Sequence, residues 1–375
     1  MDIDRLGYYL VGQQKFHNKT LALIESRRVH YQPVWVFNDD AYSNIDWRIP
    51  IDESLPNIYR RRALQLREKY DYLVLYFSGG ADSTNILNTF LENNIFLDEI
   101  VMQIPEPMYS KTSSTNLSGD NIHSEIKYAA EVYLQNNSSR INGRTKIRYQ
   151  DYAKPVVELL KNEDWPDLVP MGTHITLGAL GKQMAQVTET HIQKLCEQNF
   201  TVAQILGIDK PMVYYNGQNY YAYFLDLNTR HAPPVDNTYS EIFNSLYCTE
   251  FFYWTPDMPE IVVKQAQEIK RECELDHAKK QLWSKARILH SDKFRNPLNP
   301  IIYPDIVAPV FQTGKPTSHI IRNQDAWFWE NMDAKIKDSY TSVITHLKNN
   351  INNYHFIDND IMKGLQGHPS REYPL

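Results

Sequence analysis

Cysteine is scarce in this chain of 375 residues: three thiols, Cys196, Cys248 and Cys273, stand far apart with no C-x-x-C pair. That excludes a disulfide framework and a four-thiolate zinc site. No run approaches the roughly 18 uninterrupted apolar residues of a membrane span. The opening MDIDRLGYYLVGQQKF has early acids and no apolar core, so no secretory signal is expected and a cytoplasmic location is. A basic excess is missing too, since the net charge is −6. A dominant nucleic-acid surface is therefore not expected, although a local basic face is compatible with that charge. Histidines 174 and 191 lack metal-ligand spacing, so no transition-metal site is expected. What is plentiful is tyrosine, at 25 residues, which supplies amphipathic packing groups and points to no particular activity.

The length exceeds one typical domain. Helices are predicted over 13–26 and 55–69, with HYQPVWVFND extended between them. From Asp71 the texture changes. DYLVLYF is a short continuous apolar run, as in a strand covered on both faces. A helix at 82–94, a strand at 99–104, a helix at 121–137 and a strand at 145–150 follow. Then come the helix KPVVELLKN and a strand at 167–172. Strands alternating with such crossovers predict an α/β fold with a doubly wound parallel sheet. This predicts a doubly wound core unit at 69–210, an N-terminal α/β extension at 1–68, and a β-hairpin with a mostly helical C-terminal region at 211–375. Asn216-Gly217 between β-rich flanks marks the hairpin, and helices are expected at 259–288 and 326–350. The tail GLQGHPSREYPL reads as irregular, frayed or folded over a neighbouring surface.

The strand at 71–77 runs straight into Ser78-Gly79-Gly80, and a helix begins near Asp82-Ser83. Adjacent glycines let backbone approach a ligand with no Cβ in the way. First-turn helix amides lack internal partners and carry partial positive charge, which makes an anion socket. Ser78 and Ser83 add hydroxyls, and the Asp82 carboxylate suits a magnesium ion. The position, at the carboxyl end of a parallel strand, is where open α/β sheets take ligands. A Walker loop does not compete: 178–183 has Gln183 in place of Ser or Thr and Thr176 in place of the first glycine, and 314–316 fails likewise.

SGGADS resembles the pyrophosphate-binding loop S-G-G-x-D-S of the PP-loop ATP pyrophosphatases, the adenine nucleotide α-hydrolase (HUP) superfamily, which includes asparagine-synthetase-like enzymes. The motif match covers six residues, and the alternating pattern extends it loosely over 70–210. The resemblance implies ATP and Mg²⁺ as cofactors, with phosphates bound by Ser78, Gly79, Gly80, Asp82, Ser83 and Thr84. It implies Asp82 as the metal ligand, and adenine near Met102-Gln103-Ile104. Thr173 and His174, after the strand at 167–172, are candidate nucleotide contacts, an idle loop histidine being the alternative. Lys210 is a candidate catalytic lysine that neutralises departing pyrophosphate, a solvated lysine being the alternative.

The implied reaction is attack of a substrate oxygen on the α-phosphate, loss of pyrophosphate and displacement of the adenylate. Position 2 is Asp2 and none of the cysteines lies in a glycine elbow, so no built-in glutaminase is expected. A cysteine-rich zinc site is also missing. The leading expectation is an ATP-dependent C–N ligase using ammonia or an amine. The alternatives are a sulfur-transfer or phosphoadenosine-phosphosulfate-reductase-like enzyme, whose terminal E-C-G-x-H motif Arg271-Glu272-Cys273-Glu274 weakly resembles, and a non-catalytic nucleotide-binding protein. The expected partner is a small-molecule substrate. The basic stretch 277–295 leaves tRNA or another nucleic acid as an alternative, against a merely solvated face.

Overall fold

A computed structural model describes residues 3–104, 133–161, 175, 180–181, 190–227, 246–284, 298–303, 329–330 and 332–375. The chain opens with strand β1 (Tyr8–Val11), which pairs antiparallel with β2 (Gln14–Phe16) and β3 (Val34–Val36). Helix α1 (Lys19–Val29) follows β2. The predicted helix at 13–26 therefore starts late, because Gln14–Phe16 pairs with β1 and Asn18 caps α1 by accepting from the Leu21 amide. Helix α2 (Leu55–Lys69) starts behind Ser54 with a proline in its first turn, where the missing N–H costs nothing.

Strand β4 (Tyr72–Tyr76) then leads into α3 (Ala81–Glu92), β5 (Glu99–Ile104), β6 (Lys146–Asp151) and α4 (Ala153–Leu160). Helix α5 (Thr190–Glu197) precedes β7 (Val202–Leu206). Strands β8 (Met212–Tyr215) and β9 (Tyr220–Tyr223) form the expected hairpin, with Gly217 at φ 103° in its turn. Strand β10 (Tyr247–Phe251), α6 (Glu260–Leu275), α7 (His277–Ser284), α8 (Asn299–Ile302), α9 (Ala334–Asn350) and β11 (Tyr373–Pro374) complete the order. The expected helix at 259–288 is broken at Asp276, whose backbone is extended. Most of the expected helix at 121–137 and the strand at 167–172 lie outside the described residues.

The central sheet is all-parallel, in the order β10-β7-β4-β5-β6. Its fifth strand comes from 247–251, beyond the 69–210 stretch. Alternation along β4 explains why DYLVLYF is continuously apolar. Leu73 and Leu75 face a core built with Ile100, Ala203 and Ile205 and with side chains of α2, α3 and α6. Tyr72 and Val74 face the other way, against Val101, Val202 and the α5 residues Ile192 and Cys196. Both faces are covered, and each fully buried Leu or Val contributes roughly 1.5–3 kcal/mol. A further core joins α4 and α9 to Leu23 of α1. Among the described residues, no helix is long and apolar enough to cross a membrane.

Two buried charge clusters tie distant segments together. Arg62 of α2 meets Glu250 of β10 at 2.7 Å, and Lys69 and Tyr70 bond the same carboxylate. Burial alone would push the Glu250 carboxyl up, but the Arg62 charge and the Tyr70 and Lys69 bonds bring it down to about 2. Lys19 and Asp226 form a pair at 2.6 Å with no exposure on either side chain. Tyr9 also bonds Asp226, and the His368 amide donates to it at 3.0 Å. The tail is thus folded over the core: β11 pairs with β9, and the Ser370 amide donates to the Phe224 carbonyl at 2.8 Å.

Candidate functional site

The sheet order reverses between β4 and β7. The chain leaves β4 toward β5 and β6, then returns to the other side for β7 and β10. At such a switch point the connections after the two central strands part, and a crevice opens beyond their carboxyl ends. The connection after β4 is Phe77-Ser78-Gly79-Gly80, and the connection after β7 is Gly207-Ile208-Asp209-Lys210.

The first connection is built as its residues dictate. Phe77 still donates its amide to the Val101 carbonyl at 2.8 Å, and then the strand ends. Gly79 adopts φ 74°, a left-handed conformation that a side chain disfavours. Gly80 is extended and caps α3, whose first i to i−4 bond is Thr84 amide to Gly80 carbonyl at 3.0 Å. The amides of Ala81, Asp82 and Ser83 precede that bond, at the positive end of the helix. The hydroxyls of Ser78 and Ser83 are 3.2 Å apart, and Ser78 Oγ accepts the Gly80 amide at 3.3 Å. A Cβ on Gly80 would stand 3.3 Å from Ser78 Oγ, so glycine keeps this cradle open.

The second connection brings a cation to the first. Lys210 Nζ donates to Asp82 Oδ1 at 2.8 Å across 128 residues of sequence. The lysine side chain is 6% exposed and the aspartate 26%. Asp209 lies 3.7 Å from the same ammonium and takes the Lys210 amide at 2.6 Å. Gly207 is packed directly under the loop. A Cβ there would lie 3.1 Å from the Asp82 carbonyl carbon and the Ser83 nitrogen.

A third element reaches the site from the C-terminal half. Tyr303, just after α8, donates its hydroxyl to Asp82 Oδ1 at 2.5 Å, and Lys210 Nζ sits 5.3 Å from its ring centroid. Tyr253, after β10, donates to the Asp82 backbone carbonyl at 2.9 Å and accepts from Asn85 Nδ2 at 3.0 Å. Burial, reinforced by the Asp82 charge, pushes the Tyr303 phenol well above its ordinary value, so it stays a donor.

The structure thus brings Ser78, Gly79, Gly80, Asp82, Ser83 and Lys210 together. Thr84 is buried, and its Oγ1 has no hydrogen-bond partner among the described residues. Gln103 lies near the carboxyl end of β5, donating to Gln150 Oε1 of β6 at 3.0 Å. Thr173 and His174 fall outside the described residues. Of the basic stretch, Lys279 pairs with Glu272, and Lys280 lies 4.3 Å above the Tyr215 ring. Residues 285–295 are outside the described set. Among the described residues, no three His, Cys, Asp or Glu side chains gather as a metal cage. A carboxylate beside a cradle of backbone amides is a donor set that could take Mg²⁺, which keeps most of its waters, and Asp82 is the residue that could hold it.

Sequence reasoning missed Gly207, Tyr253 and Tyr303. The glycine had a signal, since a strand-like run ending on Gly in V-A-Q-I-L-G marks a close backbone approach. The tyrosines had none among 25. No protein-family model matches the chain, and no curated protein matches it.

Proposed function

We propose that the chain is a PP-loop ATP pyrophosphatase with the HUP-type doubly wound fold. In this reading it adenylates a substrate oxygen and passes the product to ammonia or an amine, as a C–N ligase. The observation that carries this is the Asp82–Lys210 pair at the mouth of the Ser-Gly-Gly turn, at the switch point of a parallel sheet. An anion cradle made of backbone amides holds β- and γ-phosphates as a leaving group and leaves the α-phosphorus to be attacked.

The substrate oxygen forms a bond to the α-phosphorus, and the bond to the bridging oxygen breaks, so pyrophosphate departs with the electron pair. The amine then attacks the activated carbon, AMP leaves, and the nitrogen loses a proton to solvent. Ser78, Gly79, Gly80 and Ser83 orient the leaving pyrophosphate. Lys210 compensates the charge that grows on it. Asp82 would hold Mg²⁺, which would supply further neutralisation.

The sulfur-transfer reading needs a reactive thiolate. Burial pushes Cys196 up to about 11 and Cys273 up to about 12, and it raises Cys248 as well. Such thiols stay protonated at neutral pH, which supports nitrogen over sulfur chemistry.

The test is product analysis with α-labelled and γ-labelled ATP, Mg²⁺, ammonium and a panel of carboxylate acceptors. AMP with pyrophosphate is expected, and Asp82→Ala is expected to abolish it. ADP as the only nucleotide product would sink the assignment.

A further inference from the structure

Asp82 is held from two ends by two tyrosines of different segments, and neither belongs to the Ser-Gly-Gly motif. Tyr303 bonds the carboxylate, and Tyr253 bonds the backbone carbonyl of the same residue. Both rings are fully buried and lie 5.5 Å apart. A third tyrosine, Tyr59 of α2, packs 5.5 Å from Tyr253, edge to face, and 6.4 Å from Tyr303.

Further hydrogen bonds brace these tyrosines from behind. Gln265 Nε2 of α6 donates to the Tyr59 hydroxyl at 2.9 Å, and that hydroxyl donates to the Ile302 carbonyl at 2.9 Å. Ile302 adjoins Tyr303, so the phenol that meets Asp82 is anchored at its own backbone. Asn85, one turn along α3, fixes the Tyr253 hydroxyl. Two segments outside 69–210 therefore converge on one residue of the loop, and α2 and α6 brace one of them from behind.

The geometry points to Tyr303 as a positioning residue for Asp82: its hydroxyl, together with the Lys210 ammonium, sets the plane of the carboxylate toward the metal of the nucleotide. The proposal rests on the nucleotide reading above. It also gives residues 298–303 a task that their sequence, L-N-P-I-I-Y, does not display. A carboxylate that ligates a metal works best when its orientation is fixed by hydrogen-bonding neighbours, and losing such a neighbour costs about 10–100-fold in metal affinity. Tyr253 acts one step back, holding the loop backbone, while Lys210 shares the same oxygen and lies over the Tyr303 ring.

The experiment compares the full chain with Tyr303→Phe, which keeps the ring and removes the hydroxyl. Binding of α,β-methylene-ATP is measured by calorimetry without metal. Binding of Mn²⁺ to the protein–nucleotide complex is then followed by the loss of the free-ion electron paramagnetic resonance signal. The expected result is a Mn²⁺ affinity about 10-fold weaker in Tyr303→Phe. Metal-free nucleotide affinity should stay within about two-fold and the melting temperature should hold, because the hydroxyl bonds the Asp82 carboxylate rather than the backbone amides of the cradle. Unchanged Mn²⁺ affinity would overturn the positioning role and leave the nucleotide reading intact. So would metal and nucleotide affinities falling together with the melting temperature, which marks a packing role. If the wild-type chain binds no nucleotide with or without Mn²⁺, both readings fall.

Discussion

Replacing Gly207 by alanine adds one methyl group under the loop, against backbone that has little room to give. The new Cβ would lie 3.1 Å from the Asp82 carbonyl carbon, 3.1 Å from the Ser83 nitrogen and 3.2 Å from Asp82 Cβ. Ordinary van der Waals contact begins some tenths of an ångström further out. The loop is also held by hydrogen bonds from Tyr253 and Tyr303, so it cannot retreat freely. Overpacking of this kind costs about 1–3 kcal/mol. A displacement of 1 Å at a reacting group costs roughly 10²-fold, so a shift of a few tenths should cost about 10-fold in turnover. Urea unfolding reads the first figure, and AMP release at saturating ATP reads the second. Gly143→Ala is the control, since nothing lies within 4 Å of a Cβ there. It should change neither quantity beyond about 0.5 kcal/mol or its equivalent in rate. Wild-type stability together with wild-type turnover in Gly207→Ala would refute the argument that this glycine is required by the approach of two backbones.

In the proposed reaction Lys210→Ala would remove the charge beside the leaving group, so kcat should fall about 10²–10³-fold while ATP affinity falls much less; equal losses in both would assign Lys210 to binding alone. Cys196→Ala/Cys248→Ala/Cys273→Ala should retain most of its turnover, with a stability loss from core thiols that a urea melt reads. Loss of AMP formation at intact fold would move sulfur chemistry to first place. His355 is buried among His368 and Lys19, and burial with those charges lowers it from 6.5 to about 4. The folded state therefore holds it neutral while the unfolded chain takes up the proton, and His368 is lowered in the same sense. Stability should thus fall as pH drops from about 6.5 toward 4, by about 3 kcal/mol for His355 alone. His355→Leu should flatten that slope in urea melts taken across the range, and an unchanged slope would show that His355 is protonated in the fold.

The local features were readable in the sequence because short-range chemistry sets them. The apolar run at 72–76 is a strand with both faces covered, and two glycines with a following helix make the turn after it. Asn216-Gly217 turns its hairpin because Gly217 accepts φ 103°. Where local signals competed, the tertiary partner decided. Gln14–Phe16 carries a helical pattern, yet its ladder with β1 places it in a sheet. Residues 247–251 become the fifth strand only because β7 offers an edge to pair with. At the site, the sequence alone determined Ser78 to Ser83, since neighbours in the chain build that cradle. The folded chain decided what surrounds Asp82: a lysine 128 residues away, a phenol 221 residues away and a glycine floor from another strand end. No local pattern encodes such meetings. They arise because burying both faces of one sheet forces the ends of β4 and β7, and the segment after α8, into the same small volume.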